Sequence, residues 1–315
     1  MSEKMINAEV ASETEVKADS ALTAMEQKDM QQVNAKDKVM KIVVQVLLYL
    51  FLGVMALIVL FPFYFMLISS LKTMDEYSLS VPTLFPEFID WNNYVEVFQN
   101  EDLQLGRLFG NTMYVGIVST LLSLVITVLS AFAFARLEFK GKNVLFAAML
   151  GTMMIPGELF TITNYITVSQ LGWKNTYTVL IVPFLVSVFY IYLLRQNFMQ
   201  IPNELYLAAK VDGTSDLKYL WKVMIPLALP SLISITILKM MGAWNSYMWP
   251  NLVANDAAHR LITNGLRNAF TDAAGFTDIP VQMAAVALVS LPLFLVFVFL
   301  RKYIMKGVSR SGIKG

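Results

Sequence analysis

An all-α integral membrane fold with six spans is what this sequence predicts, and three observations carry the prediction. The 315-residue chain is 57% hydrophobic and 15% charged, with a mean hydropathy of +0.58, far too apolar for a soluble domain of this length. Six stretches reach the roughly 20 apolar residues that a helical crossing requires, in a medium where any open structure leaves costly unpaired backbone groups. The Lys and Arg residues of the connections concentrate on one side of the membrane, with only Lys72, Arg107, Lys174, Arg260 and Arg267 on the other.

Residues 1–38 are polar, rich in Glu, Lys, Asp, Ala and Gln, and lack the basic start, apolar run and small-residue cleavage site of a secretory signal. They read as a cytoplasmic tail without a packed core, ahead of a transmembrane domain over 39–315. Spans are expected at about 44–71, 111–135, 144–167, 176–194, 225–249 and 279–300, the third holding Glu158 and the fifth Lys239. Lys36, Lys38 and Lys41 precede the first span, and Arg136, Lys140 and Lys142 follow the second. Arg195, Lys210, Lys218 and Lys222 follow the fourth; Arg301, Lys302, Lys306, Arg310 and Lys314 follow the sixth. This sorting puts both termini and the 201–226 loop in the cytoplasm. The opposite connections, 73–110 and 251–278, are long enough to carry small folded elements. Pro62, Pro156, Pro183 and Pro292 fall inside spans, where each removes a donor and bends the helix.

Several function classes drop out. With no Cys and a single His259, disulfides and thiolate or imidazole metal clusters are excluded, so no metal site is expected. A net charge of +1, with its cations distributed by membrane side, gives no nucleic-acid surface. No internal repeat marks a two-halved transporter, so a pore requires a second subunit.

The most informative stretch is the polar loop 201–226. Pro202 needs no donor at a helix start, and Glu204 faces the positive end of the helix dipole. Gly213 can take positive φ and end that helix, after which Thr214 or Ser215 can cap a second helix with Asp216 in its first turn. In the second helix Leu217, Leu220, Trp221 and Met224 recur at i, i+3, i+4 and i+7, giving one apolar face, with Lys218 and Lys222 on the wet side. Such a knob fits a partner's groove, and small Ala208 and Ala209 allow close backbone approach. The same pattern also describes an amphipathic segment at the lipid interface.

Ala208, Ala209, Asp212, Gly213 and Pro226 resemble the coupling loop of ABC-importer permeases, although Leu207 stands where that family usually has Glu and Ile225 where it usually has Leu. Further motifs resemble the family's carbohydrate branch, and specifically the second permease of its maltose/oligosaccharide-type pair. They are Trp91-Asn92-Asn93-Tyr94, Asn111-Thr112, Ala135-Arg136, Phe139-Lys140-Gly141, Met154-Ile155-Pro156, Leu194-Arg195-Gln196, and Trp244-Asn245 with Pro250. The C-terminus, from Gly307 to Gly315, is similar too. The resemblance implies a type I ABC importer permease with cytoplasmic coupling helices, in a bacterial cytoplasmic membrane. It implies as partners a second homologous permease, two ABC ATPase subunits and an extracytoplasmic solute-binding protein, with a carbohydrate (oligosaccharide or related polyol) as substrate. Contact with the ATPases is then expected at Glu204, Ala208, Ala209, Asp212, Gly213, Leu217, Leu220, Trp221 and Pro226, and at Gly312, Lys314 and Gly315 of the tail. The chain lacks a Gly-x-x-x-x-Gly-Lys-Ser/Thr loop, so it is expected to be a transport subunit and not an enzyme, binding no cofactor while its partners use ATP and Mg.

Inside the membrane a charge costs about 2.5–3.5 kcal/mol, so Glu158 and Lys239 should face protein or water. At about 1.5 Å per residue both lie about 20 Å from the cytoplasmic ends of their spans, and an ion pair between them is a natural expectation. Thr236, Lys239, Gly242, Ala243 and Ser246 form a small, polar stripe suited to close packing or a cavity wall; Glu158, Thr161 and Tyr165 form another. Trp244 and Asn245 are candidates for sugar stacking and hydrogen bonding, with an interfacial anchor as the alternative for Trp244. Two competing functions are an ion-coupled secondary transporter protonated at Glu158 and a non-transporting membrane receptor or scaffold; neither explains residues 202–226.

Overall fold

The computed structural model describes residues 40–101, 103–270 and 278–309, the last eight of these as helical backbone only. The tail over 1–38 and the C-terminal Gly312, Lys314 and Gly315 lie outside the described residues.

The chain divides into two units, 1–65 and 66–315. Helix α1 (Met40–Ser69) supplies the described part of the first and runs into the start of the second. It is unbroken despite Pro62, with the Phe61 and Phe65 rings stacked 6.2 Å apart one turn on.

The second unit is organised around α4 (Leu105–Arg136), which is long and apolar enough to cross a membrane without interruption. Its buried polar residues Asn111, Thr112, Ser119, Thr120, Ser123 and Thr127 recur at spacings of three and four, with Gly116 among them. This stripe turns toward neighbouring helices, where small side chains permit close approach. A Cβ on Gly116 would lie 2.8 Å from the Met240 sulfur, so the Met240 side chain of α12 (Leu229–Trp244) lies directly on the α4 backbone. α4 also packs on α8 (Val188–Met199), and α12 packs in turn on α15 (Ile279–Ser309).

The three middle spans are bent, at Pro156 and Pro183 as the sequence predicts, and again at a corner in the fifth that the sequence did not signal. The third is α5 (Lys142–Thr152) followed by Gly157–Gln170, containing α6 (Thr161–Gln170), with an 84° bend. Pro156 sits in the break, where its missing N–H ends the ladder. The fourth, Tyr177–Phe184 with α7 (Tyr177–Ile181) followed by α8, bends by 45° just past Pro183. At the start of the fifth, the loop segment Asp216–Leu227 meets α12 at 80°, with Pro226 and Pro230 flanking the corner. Counting each bent pair as one crossing gives six spans. Pro292, in contrast, lies inside continuous α15, as Pro62 does inside α1.

Both long connections between spans are folded. Around α2 (Met74–Tyr77), ahead of α3 (Asn92–Gln99), the buried Lys72 ammonium donates to the Thr83 carbonyl at 2.5 Å and lies 4.0 Å from the Glu76 carboxylate. Glu76 also accepts from the Thr83 hydroxyl and the Glu87 N–H. Lys72, placed by the sequence among the cations of the outside connections, is thus part of a satisfied internal knot. The last connection is clamped onto α4: the Asn111 amide donates to the Ala258 and Arg260 carbonyls at 2.8 and 2.9 Å and accepts from the Tyr177 hydroxyl at 2.7 Å. Its helix α14 (Ile262–Ala269) needs Gly265, because a Cβ there would lie 2.4 Å from Leu108.

Candidate functional site: a bent loop and a membrane cavity

The loop forms two short helices with a sharp turn. Helix α9 (Asn203–Val211) starts after Pro202 with Glu204 in its first turn. At its end Gly213 has φ +67°, its N–H bonds to the Lys210 carbonyl at 3.0 Å, and the Thr214 N–H bonds to the Ala209 carbonyl at 2.8 Å. This is the paired-bond helix stop that glycine permits. Helix α10 (Asp216–Tyr219) follows, continued by a π turn over Leu220–Met224 and the short α11 (Ile225–Leu227). Ser215 sits at the cap position but its side chain makes no capping bond.

Asp216 instead ties the two helices across the turn. Its carboxylate accepts from Tyr206 Oη at 2.7 Å and pairs with Lys210 Nζ at 2.6 Å. The hydrogen bond from Lys210, then that from Tyr206, holds the Asp216 carboxyl below its ordinary 3.8, and the bond to Asp216 raises Lys210 above 10.5. A depressed acid contributes above its unfolded pKa and loses that contribution as pH falls; a raised amine contributes below its own and loses it as pH rises. Spin labels on exposed Leu207 and Lys218 are therefore expected to hold a constant separation from about pH 5 to 9, spreading only below 3.8 or above 10.5.

The apolar stripe of the second helix is split between two environments. Leu220 and Met224 are fully buried, with Tyr219, among Ala131 and Phe132 of α4 and Leu194 and Phe198 of α8. Leu217 and Trp221 are 59% and 65% exposed. Leu220 is consequently not available to a partner, a correction to its expected place on the knob. Glu204, Ala208, Asp212, Gly213 and Pro226 are exposed, and Ala209 is half-buried against the same core. Val211 and Leu207, 88% and 55% exposed, add apolar surface that sequence reasoning passed over, although their i, i+4 spacing on α9 signalled it. The root of the loop is gripped by Arg136, whose guanidinium donates to the Phe198 and Ile201 carbonyls at 2.9 and 2.5 Å.

Within the spans lies a cavity of about 430 Å³. Val115 and Ser119 of α4 form one wall, and the break between α7 and α8 contributes Pro183, Phe184, Ser187 and Tyr190. Lys239, Gly242 and Ala243 of α12, with Ser246 just beyond, form another wall, and Trp249 and Pro250 of α13 (Met248–Val253) close one side. The stripe expected on span five thus lines the cavity from Lys239 to Ser246. The expected Glu158–Lys239 ion pair is not formed. Lys239 donates to the Phe184 carbonyl at the broken fourth span, and Glu158 is exposed, with no ion pair among the described residues. The 84° bend turns the polypeptide just before Glu158, so depth along a straight helix did not locate it.

Thr161 is half-buried and, like Asn245, away from the cavity lining. Trp244 is neither a sugar platform nor an interfacial anchor: it is buried, with its ring 5.2 Å edge-on to Phe109, in the core with Val281 and Ala284. The wall residues missed from sequence include Ser119, Ser187, Tyr190 and Trp249. The three-and-four polar spacing along α4 was the available signal for Ser119.

Comparison with known proteins places this arrangement. The model of the binding-protein-dependent transport system inner membrane component family matches residues 21–310. The chain is 29% identical over 262 residues to the arabinooligosaccharides transport system permease protein AraQ of Halalkalibacterium halodurans, covering 82% of this chain and 93% of that one. It is 27% identical over 266 residues to the sn-glycerol-3-phosphate transport system permease protein UgpE of Pectobacterium atrosepticum, covering 83% and 94%. A crystal structure of a bacterial ABC transporter involved in the import of the acidic polysaccharide alginate contains a chain of the same fold, with a TM-score of 0.75 at 23% identity over 83% of this chain and 96% of that one. The family match runs through nearly all the described helices, and the chain belongs to the binding-protein-dependent transport system inner membrane components, multi-pass transport subunits and not enzymes.

Proposed function

We propose that this chain forms half of the translocation pore of an ATP-driven importer for a carbohydrate, either an oligosaccharide or a related polyol. It works with a second homologous permease, two ATPase subunits and an extracytoplasmic solute-binding protein. Both termini and the loop 201–226 lie in the cytoplasm, where ATP and Mg belong to the partner ATPases. The relatives that carry sugar-transport names support the substrate class.

The observation that carries the reading is the two-sided second helix of the loop. Exposed Leu217 and Trp221 offer a knob to the ATPase, beside Glu204, Ala208, Asp212, Gly213 and Pro226. On the opposite edge Leu220 and Met224 are embedded between α4 and α8. Because a close-packed core transmits displacement instead of absorbing it, closure of the ATPases on ATP would move the spans through that root. The cavity at Lys239 forms a stretch of the substrate path.

Since the chain has no Cys, a single cysteine at Leu217 carrying a photocrosslinker reports one site. Crosslinking in membranes of the native organism is expected to capture a protein with a Gly-x-x-x-x-Gly-Lys-Ser/Thr loop, identified by mass spectrometry, and ATP depletion is expected to stop saccharide uptake. Capture of lipid alone, or uptake indifferent to ATP and abolished by an ionophore, would contradict the proposal.

A further inference from the structure

The cavity contains a cation without a counter-charge. Lys239 is half-buried; one of its three N–H donors goes to the Phe184 carbonyl, and no carboxylate lies within ion-pair distance among the described residues. The salt bridges of the described residues lie elsewhere, at Lys72–Glu76, Lys210–Asp216 and His259–Asp256. A carbonyl offers a partial charge, so the site keeps a net positive field in a medium that screens it poorly.

The rest of the wall is suited to a hydroxylated ligand. The Tyr190 and Ser246 hydroxyls have no hydrogen-bond partner among the described residues, while Trp249 and Phe184 present rings 5.8 Å apart, edge to face. A volume of about 430 Å³ falls within the roughly 300–1,000 Å³ typical of small-molecule sites. Free hydroxyls and apolar rings accept a sugar of any charge, but an unbalanced ammonium discriminates. A neutral sugar leaves its charge uncompensated, whereas an anionic group supplies both the counter-charge and acceptors for its two free donors.

Resting on the transport reading above, we infer that the cavity selects an anionic saccharide, one bearing a carboxylate or phosphate group, and that Lys239 is the residue that binds this group. Glycine and alanine at 242 and 243, one turn away on the same face of α12, leave room for the ring that carries it.

The test uses the complete importer in lipid nanodiscs and measures equilibrium binding of digalacturonate, glucose 1-phosphate and the neutral dimethyl ester of digalacturonate. Wild type is expected to prefer at least one anionic probe over the ester, and the identity of that probe distinguishes carboxylate from phosphate. In Lys239→Gln, which keeps a donor for the Phe184 carbonyl, the anion-to-ester affinity ratio is expected to fall about 10- to 100-fold, the range for losing a charge-assisted hydrogen bond. Lys239→Arg is expected to preserve the preference. An unchanged ratio in Lys239→Gln, or a wild type that does not prefer an anion, overturns the inference. So does failure of Lys239→Gln, but not of Lys239→Arg, to assemble with the second permease, which would assign the counter-charge to that subunit. ATP-dependent uptake of neutral oligosaccharides with no anion preference would sink this inference alone and leave the permease reading standing. Absence of any ATP-dependent saccharide uptake by the wild-type complex would remove both.

Discussion

Replacing Gly213 with Val is expected to lower substrate-dependent uptake tenfold or more while ATP hydrolysis continues and the chain still inserts. At φ +67° an L-residue costs roughly 1–2 kcal/mol, and a β-branched one more. No heavy atom lies within 4 Å of where the Cβ would be, so the penalty is conformational and not a clash. Relief requires rotating Gly213 out of the left-handed region, which breaks the bonds from the Gly213 and Thr214 N–H groups to Lys210 and Ala209. The tie between Tyr206, Lys210 and Asp216 then spans a changed angle. Asn tolerates this region, so Gly213→Asn is expected to retain most coupling. Parallel measurement of hydrolysis and uptake in proteoliposomes checks the prediction, and normal uptake by Gly213→Val would refute it.

The second large effect separates the two edges of one helix. Trp221→Ala removes an exposed side chain, so the thermal midpoint of the purified chain should hardly move, within about 0.5 kcal/mol. As the aromatic anchor of an interface, however, Trp221 is expected to contribute about 2 kcal/mol or more, and ATPase association should weaken about 30-fold. Leu220→Ala should do the reverse in stability. Leu220 is fully buried, and a cavity there costs about 2–5 kcal/mol, lowering the midpoint directly. Denaturation curves and pull-down titrations of both variants should diverge in this crossed pattern. Equal effects of the two substitutions on both readouts would mean that the helix does not act as a lever between partner and core.

The membrane class, the number of apolar segments and the glycine stop at residue 213 were legible because each rests on a local rule: composition, length, or the steric freedom of one residue. The split of Leu217 and Trp221 from Leu220 and Met224 was not. All four share a stripe at helical spacing, and only tertiary packing decides which edge of the stripe is covered. The bends were legible only in part, for a related reason. Apolar runs look the same whether straight or folded, and among the flagged prolines only Pro156 and Pro183 coincide with breaks. Lys239 was found because a charge in an apolar run is conspicuous, but its partner was misassigned. A backbone carbonyl freed by the broken fourth span has no signature in the sequence, whereas Glu158 does.

The grip of Arg136 on the Phe198 and Ile201 carbonyls bears on how this machine delivers its stroke. One guanidinium fastens the inner end of α4 to the last turn of α8 and to the residue where the loop departs, leaving little slack between crank and shaft. On the proposed coupling, a push delivered to the loop would be spent at the corners near Pro156, Pro183 and Ala228, where the bundle has already given up its continuous ladders, and not at the attachment itself.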